Sequence, residues 1–223
     1  YATNKIMNID DYNKLEYPYN LEPLLTGVVA NDDTNYTFYS KIKKIELDYF
    51  SKIGNNIEIE KNDGNYYITA SKKDYIVLDV TNLKKDQILI IKFDLLNNPR
   101  CSSGDIAINI NGVRNVLTCR EWIYHNRNYS FEYVISSNDI IDNLKIEFAK
   151  GIYEISKVET YILDYNEIKG INNEIDQMEI DMNKTQGDYL YGNIKVSNNG
   201  YFVTTIPYDE GFTITLNGKE VIP

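Results

Sequence analysis

The sequence has one histidine, one tryptophan and two cysteines among 223 residues, and each scarcity excludes something. A single imidazole, His125, cannot supply the several acid–base or metal-binding groups that most hydrolytic centres need; beside Arg120, Trp122 and Arg127 it reads as a surface or packing residue. The spacing of Cys101 and Cys119 does not match a zinc site. The two either pair as a disulfide across neighbouring strands or stay as separate buried thiols. Two cysteines are too few for a disulfide-dense scaffold, so the chain must rely on a hydrophobic core. No apolar run approaches the roughly 18 residues of a membrane helix. Positive charge is short as well: 23 Lys and Arg stand against 33 Asp and Glu, a formal net charge of −10. A surface of that sign repels phosphate backbones, which argues against nucleic acid, and it weighs against broad contact with anionic lipid headgroups. Missing too are the G-x-S-x-G elbow, the Gly-rich phosphate loop and the H-E-x-x-H run.

What is present is the material of a β protein. Hydrophobic residues make up 43% of the chain, and 20 residues are Tyr, a composition that buries a core and is unlike a disordered tail. Residues 1–34 form an irregular entry segment. Pro18 and Pro23 interrupt it, and Leu15, Leu21, Leu24 and Leu25 suit one short helical turn packing on a core. Residues 35–166 carry a period of two. Ile57-Glu58-Ile59-Glu60 alternates apolar and charged, Asp63-Gly64 turns, and Tyr66 to Ala70 returns. Tyr75 to Val80 follows, and the long apolar run Ile88 to Leu95 suits a central strand covered on both faces. Ile106, Ile108 and Ile110 lead through Asn111-Gly112 into Val113 to Leu117. Phe131 to Ile135, Leu144 to Phe148, Ile152 to Ile155 and Tyr161 to Tyr165 complete the set. Turn signals at 8–12-residue spacing suit a sandwich or jelly roll. The best helical stretch is Glu167 to Met182, weakened by Gly170, Asn172 and Asn173. Residues 167–223 form a C-terminal β segment: Tyr189 to Val196 and Tyr201 to Ile206 joined through Asn198-Asn199-Gly200, then Phe212 to Leu216 turning at Asn217-Gly218.

No catalytic residue is assigned. Asp10-Asp11, Asp32-Asp33 and the run Glu174, Asp176, Glu179, Asp181 are dense, but 33 acids make chance pairs inevitable, and a solvated face is the default reading. None has the spaced pattern of a calcium loop, so no metal or cofactor is expected; a structural calcium ion is the weaker alternative. Lys41, Lys43 and Lys44 read as a protected strand edge. Asn35-Tyr36-Thr37, Asn128-Tyr129-Ser130 and Asn183-Lys184-Thr185 match the glycosylation pattern, as chance allows in an Asn-rich chain. Tyr36, Phe38, Tyr39, Tyr66, Tyr67, Trp122 and Tyr124 are ordinary strand aromatics or a sugar-stacking platform. Trp122 stands out in a polar loop, and Trp122, Tyr124, Arg120 and Arg127 are the candidate ligand-binding residues.

The stretch GNIKVSNNGYFVTTIPYDEGFTITLNGKEV is the most specific text in the chain. It resembles the end of the YfhO family of bacterial multi-pass membrane proteins, in which a strand, an Ile-Pro-Tyr-Asp-x-Gly-Trp run, a second strand and an Asp-Gly hairpin follow in order. The matching residues are Ile206, Pro207, Tyr208, Asp209, Gly211, Asn217 and Gly218. Phe212 stands where the family has Trp, and Asn217 where it has Asp. Leu25-Thr26-Gly27 resembles the family's entry into this domain, and Lys150 to Ile155 resembles the close of a jelly roll of the galactose-binding type. The resemblance implies an all-β sandwich or jelly roll with a C-terminal β-hairpin segment. It implies a parent like the GT-C glycosyltransferases, with catalytic acids in loops among membrane helices and none in this segment. The chain would then be a non-catalytic domain at the extracytoplasmic face of the bacterial cell membrane. Its partners would be the membrane-embedded remainder of its own chain and an envelope glycan of the lipoteichoic-acid type. A carbohydrate-binding or adhesive module of a secreted surface protein is the alternative class. Because the chain starts at Tyr1 and stops at Pro223 directly after a strand-like run, it is expected to be a segment of a longer protein.

Overall fold

The structure, a computed structural model, describes residues 1–32, 36–47, 50–80, 83–136, 139–207 and 209–221. Asp33, Asn35 and Tyr208, named above, lie outside the described residues. The chain opens with β1 (Ala2–Thr3), β2 (Ile6–Asn8) and β3 (Val28–Ala30). Eleven strands follow: β4 (Lys43–Ile45), β5 (Phe50–Ile53), β6 (Ile57–Asn62), β7 (Asn65–Ala70), β8 (Asp74–Asp79), β9 (Gln87–Leu95), β10 (Ile106–Ile110), β11 (Val113–Leu117), β12 (Ser130–Ser136), β13 (Asn143–Phe148) and β14 (Gly151–Asp164). Last come β15 (Met178–Ile180), β16 (Gly192–Ile194), β17 (Tyr201–Phe202), β18 (Ile214–Leu216) and β19 (Lys219–Val221). Two compact units result, one of residues 40–169 and one combining 1–39 with 170–223.

The first unit is a β-sandwich. One sheet runs β11-β10-β13-β8-β5; the other runs β12-β9-β14-β7-β6, with β4 added alongside β14. All these pairings are antiparallel. The period of two sets what each strand buries. Phe131, Tyr133 and Ile135 face inward from β12 and their neighbours are exposed. Ile106, Ile108 and Ile110 do the same from β10. From β9, Leu89, Ile91, Phe93 and Leu95 join them in one core cluster; on its other face Ile90 is buried, while Ile88, Lys92 and Asp94 are half-buried, so the largely apolar run is covered on both faces only in part. Within the core, the rings of Phe93 and Tyr133 stack at 5.9 Å and Phe148 meets Tyr153 edge to face at 4.9 Å. The two buried phenols donate to backbone carbonyls, Tyr133 to Ile108 at 3.0 Å and Tyr153 to Ala149 at 2.8 Å, so neither phenol is stranded.

The tight hairpins form where the turn dipeptides predict them. Asp63-Gly64, Asn111-Gly112 and Asn217-Gly218 each place two successive residues at positive φ, for example 48° and 90° at Asn111 and Gly112. That twist matches the right-handed twist of the flanking strands. Three expectations need correction. Ile152 to Ile155 and Tyr161 to Tyr165 are one strand, β14, with an irregularity between Ser156 and Glu159 where Lys157 takes a φ of 49°; a bulge lets one strand continue through a break in its pattern. Glu167 to Met182 is no helix: a short turn of helix, Tyr165–Lys169, gives way to a 3-10 turn, Gly170–Asn173, and then β15. Leu21, Leu24 and Leu25 do lie in short helical turns and Leu15 does not, but Leu21, Leu24 and Leu25 are exposed, and the short helix Pro23–Thr26 buries Pro23 and Thr26 instead.

In the second unit, sequence order separates residues 1–34 from 167–223, whereas strand pairing joins them. β1 pairs antiparallel with β17, and Ala2 bridges to Asp176. β2 and β3 run parallel. The expected hairpin through Asn198-Asn199-Gly200 does not form: β16 pairs with β15, and β17 with β1. Gly200 lies so close to β1 that an added Cβ would stand 2.1 Å from the Thr3 carbonyl oxygen. The N-terminal strand occupies the position a hairpin partner would take.

Candidate ligand-binding loop

Five connections pass between the two sheets at one end of the sandwich: residues 54–56, 71–73, 96–105, 118–129 and 149–150. The two longest are linked by a disulfide between Cys101 and Cys119, which resolves the alternatives left open for these cysteines. Hydrogen bonds reinforce the link. The Cys119 amide donates to Asp105 Oδ1 at 2.9 Å, the Cys101 amide to Glu121 Oε2 at 2.7 Å, and the Arg120 amide to the Pro99 carbonyl at 2.9 Å. The Cys101 amide, and after it Arg120, hold the Glu121 carboxyl below its ordinary value.

The 118–129 loop is also braced internally. Asn126 Oδ1 accepts from the Thr118 and Asn128 amides at 3.1 and 3.2 Å, and Asn126 Nδ2 donates to the Val116 carbonyl at 2.8 Å. The His125 ring lies between Thr118 Oγ1 and the Tyr129 hydroxyl, 3.3 Å from each. The only imidazole of the chain is therefore a brace at the base of the loop. With the base held this way, the tip stands in solvent: Trp122 is 49% exposed, Ile123 85% and Tyr124 74%. The Trp122 and Tyr124 rings meet edge to face at 5.7 Å. Arg120 and Arg127 are exposed on the same loop, and Arg120 Nε donates to Glu121 Oε1 at 3.1 Å. Chemically the loop offers two flat amphipathic rings for stacking and guanidinium donors for oxygen-rich groups.

All four residues predicted for ligand contact thus lie in one braced loop. Ile123 is exposed at the tip between them, and Arg100 is exposed on the loop joined by the disulfide. One signal was readable: all four arginines fall between residues 100 and 127. The other aromatics do not join this loop. Tyr36 and Phe38 pair with each other in the second unit, Tyr66 packs against the sandwich core, and Tyr39 and Tyr67 are exposed elsewhere. In the C-terminal motif, Asp209 Oδ1 accepts from the Gly211 amide at 2.8 Å and its carbonyl from Phe212 at 3.0 Å. Ile206, Pro207 and Phe212 are exposed, and Asn217 and Gly218 form the β18–β19 turn. These residues build turns.

Three acids of the 174–181 run are engaged. Glu174 pairs with Lys5, Asp176 accepts from the Ser197 amide and hydroxyl, and Asp181 accepts from the Asn183 amide. Among the described residues, no three His, Cys, Asp or Glu side chains gather in a metal-binding group. A polar cleft of about 230 Å³ in the second unit is lined by Thr3, Asn4, Glu174, Asp176 and Ser197 among others, and its acids are those already bonded. Lys41, Lys43 and Lys44 lie along the β4 edge, where Lys44 meets Glu159 at 2.6 Å. No helix among the described residues is long and apolar enough to cross a membrane.

The sequence was compared with known proteins. The family model described as bacterial membrane protein YfhO matches residues 1–223. No curated protein matches. Similar solved structures include a mutant of CBM29-2, a family 29 carbohydrate-binding module, with TM-score 0.29 and 9% identity over 59% of this chain and 96% of that one. Another is CpGH89CBM32-6 from Clostridium perfringens, with TM-score 0.26 and 11% identity over 55% and 94%. The Cnp3 cupin domain of Schizosaccharomyces pombe has TM-score 0.17 and 9% identity over 63% and 76%. At these scores the sandwich assignment stands on the strand pairing itself. The whole-chain family match is decisive: this chain belongs to the YfhO family of bacterial membrane proteins.

Proposed function

We propose that this member of the YfhO family is a non-catalytic extracytoplasmic domain that recognises or positions an envelope glycan acceptor, of the lipoteichoic-acid type, for its membrane-embedded parent. The observation that carries the reading is the disulfide-braced loop with Trp122 and Tyr124 exposed at its tip and Arg120 and Arg127 exposed on the same loop. Flat rings stack on the C–H faces of pyranose sugars, and a braced loop loses little conformational freedom on binding. Arginine adds planar donors for hydroxyl and phosphate oxygens. The extracytoplasmic assignment is supported by the disulfide, since such bonds persist in oxidising compartments. The non-catalytic assignment is supported by the employment of polar groups: His125 is a brace, Glu121 and Asp176 accept from neighbouring amides, and Glu174 pairs with Lys5.

The test is direct binding of purified envelope glycans to the 223-residue chain by calorimetry or a glycan array. Trp122→Ala should weaken binding about tenfold or more, as truncation of a central aromatic anchor does, and leave thermal unfolding unchanged. Retention of full affinity in that variant would sink the reading.

A further inference from the structure

We infer that the same end of the sandwich docks on a bilayer surface, with Trp122, Ile123 and Tyr124 entering the interfacial layer and a ring of basic side chains meeting anionic headgroups. The inference rests on the glycan reading only in sharing its loop as the contact surface. It adds that the site works at the lipid surface.

Two independent observations carry it. The first is charge placement. The five connections at this end hold Lys72, Lys73, Arg100, Arg120, Arg127 and Lys150, all exposed. The same connections hold two acids, Asp105 and Glu121. Both are tied down, Asp105 to the Cys119 amide and Glu121 to the Cys101 amide and Arg120. In the described connections of the opposite end, residues 63–64, 83–86, 111–112 and 139–142, the sign reverses: Asp63, Asp86, Asp139 and Asp142 stand against Lys84 and Lys85. In a chain of net charge −10, such polarity points the basic end toward an anionic surface and turns the rest away. Each Lys or Arg near an anionic leaflet is worth about fivefold in partition.

The second observation is the tip. Ile123 is 85% exposed and aliphatic. It is a poor platform for a sugar ring, but it gains by leaving water for acyl chains. Trp and Tyr on either side are the residues that settle at the headgroup level of membranes. An apolar tip inside a basic ring supplies the two signals that reversible membrane attachment requires. Repulsion by the acidic body limits contact to this end.

Trp122 is the only tryptophan, so its fluorescence reports the tip alone. With vesicles containing phosphatidylglycerol, at low salt, its emission should shift to shorter wavelength and be quenched by brominated acyl chains. Phosphatidylcholine vesicles should leave it unchanged, and salt should reverse the shift. Ile123→Asp should reduce vesicle partition about tenfold, and Lys72→Glu with Lys73→Glu by about 25-fold or more; circular dichroism confirms that these exposed substitutions leave the fold intact. No blue shift at low salt, a shift that survives Ile123→Asp, or the same shift with soluble glycerol phosphate would overturn the proposal. Failure of the glycan reading would look different: vesicle binding would persist while no glycan was captured. If both are right, Ile123→Ser loses vesicles and keeps glycan.

Discussion

Replacing Cys101 and Cys119 by serine would show how far the candidate loop depends on its covalent clamp. The two cysteines are 18 residues apart in sequence. Opening a loop of that size returns conformational entropy to the unfolded chain, worth about 3 kcal/mol in the chain-entropy model. The folded state keeps its other restraints, because the Cys101, Cys119 and Arg120 amides bond to acceptors outside the disulfide. The variant should therefore fold and pair its strands normally. At about 2–4 °C per kcal/mol for a chain of this size, the midpoint of thermal unfolding should drop by about 6–12 °C. Circular dichroism melts and urea titrations measure this, with near-equal m-values expected for the two proteins. A reducing agent should lower the wild-type midpoint by the same amount and leave the double variant unmoved. A loss below about 1 kcal/mol, or a double variant still sensitive to reductant, would refute the claim that the disulfide links the two loops.

Three further outcomes follow from the packing. Tyr133→Phe removes the hydrogen bond that the buried phenol donates to the Ile108 carbonyl and should cost about 0.5–1.5 kcal/mol in urea unfolding without changing the strand content. Gly200→Ala forces a methyl against the Thr3 backbone. Hydrogen exchange should show loss of protection at β1 and β17 with the sandwich amides unaffected, at a cost of about 1–3 kcal/mol. Lys44→Met removes the hydrogen-bonded partner that lowers the Glu159 carboxyl from 4.5. A depressed carboxylate contributes stability above its unfolded value and loses it as pH falls through the folded one. The wild type should thus be the more stable protein at pH 7, and the gap should close as the pH falls below about 4.5, as read by urea midpoints across that range.

The legible parts of the fold were those governed by neighbours along the chain. Asn-Gly and Asp-Gly turns announce their hairpins because the positive φ values are required at those two residues whatever surrounds them. Alternation in β10 and β12 announced which side chains enter the core, because successive side chains point to opposite faces of a strand. In β9 the apolar stretch Ile88 to Ile91 announced burial beyond one face, which the structure gives at Ile90. Less legible were features set by partners far away in sequence. Tyr189 to Ile206 looked like a hairpin, but β1 pairs with β17 and β15 with β16. The leucines of the entry segment have helical spacing, yet spacing does not say whether a core lies within reach.

The candidate loop divides along the same line. Composition alone marked it: in an acidic chain, residues 100–127 hold every arginine, the only tryptophan, the only histidine and both cysteines. The residue types needed to contact an oxygen-rich ligand were therefore readable before any fold was known. Pairing of Cys101 with Cys119, His125 as a brace, and the gathering of Lys72, Lys73 and Lys150 at the end that carries Trp122 were not readable. They depend on five connections emerging at one end of two antiparallel sheets. Local propensities specify strands and turns, because those depend on backbone sterics over a few residues. Only the closing of the two sheets over a shared core decides which loops become neighbours, because that arrangement is selected by burial of side chains distant in sequence.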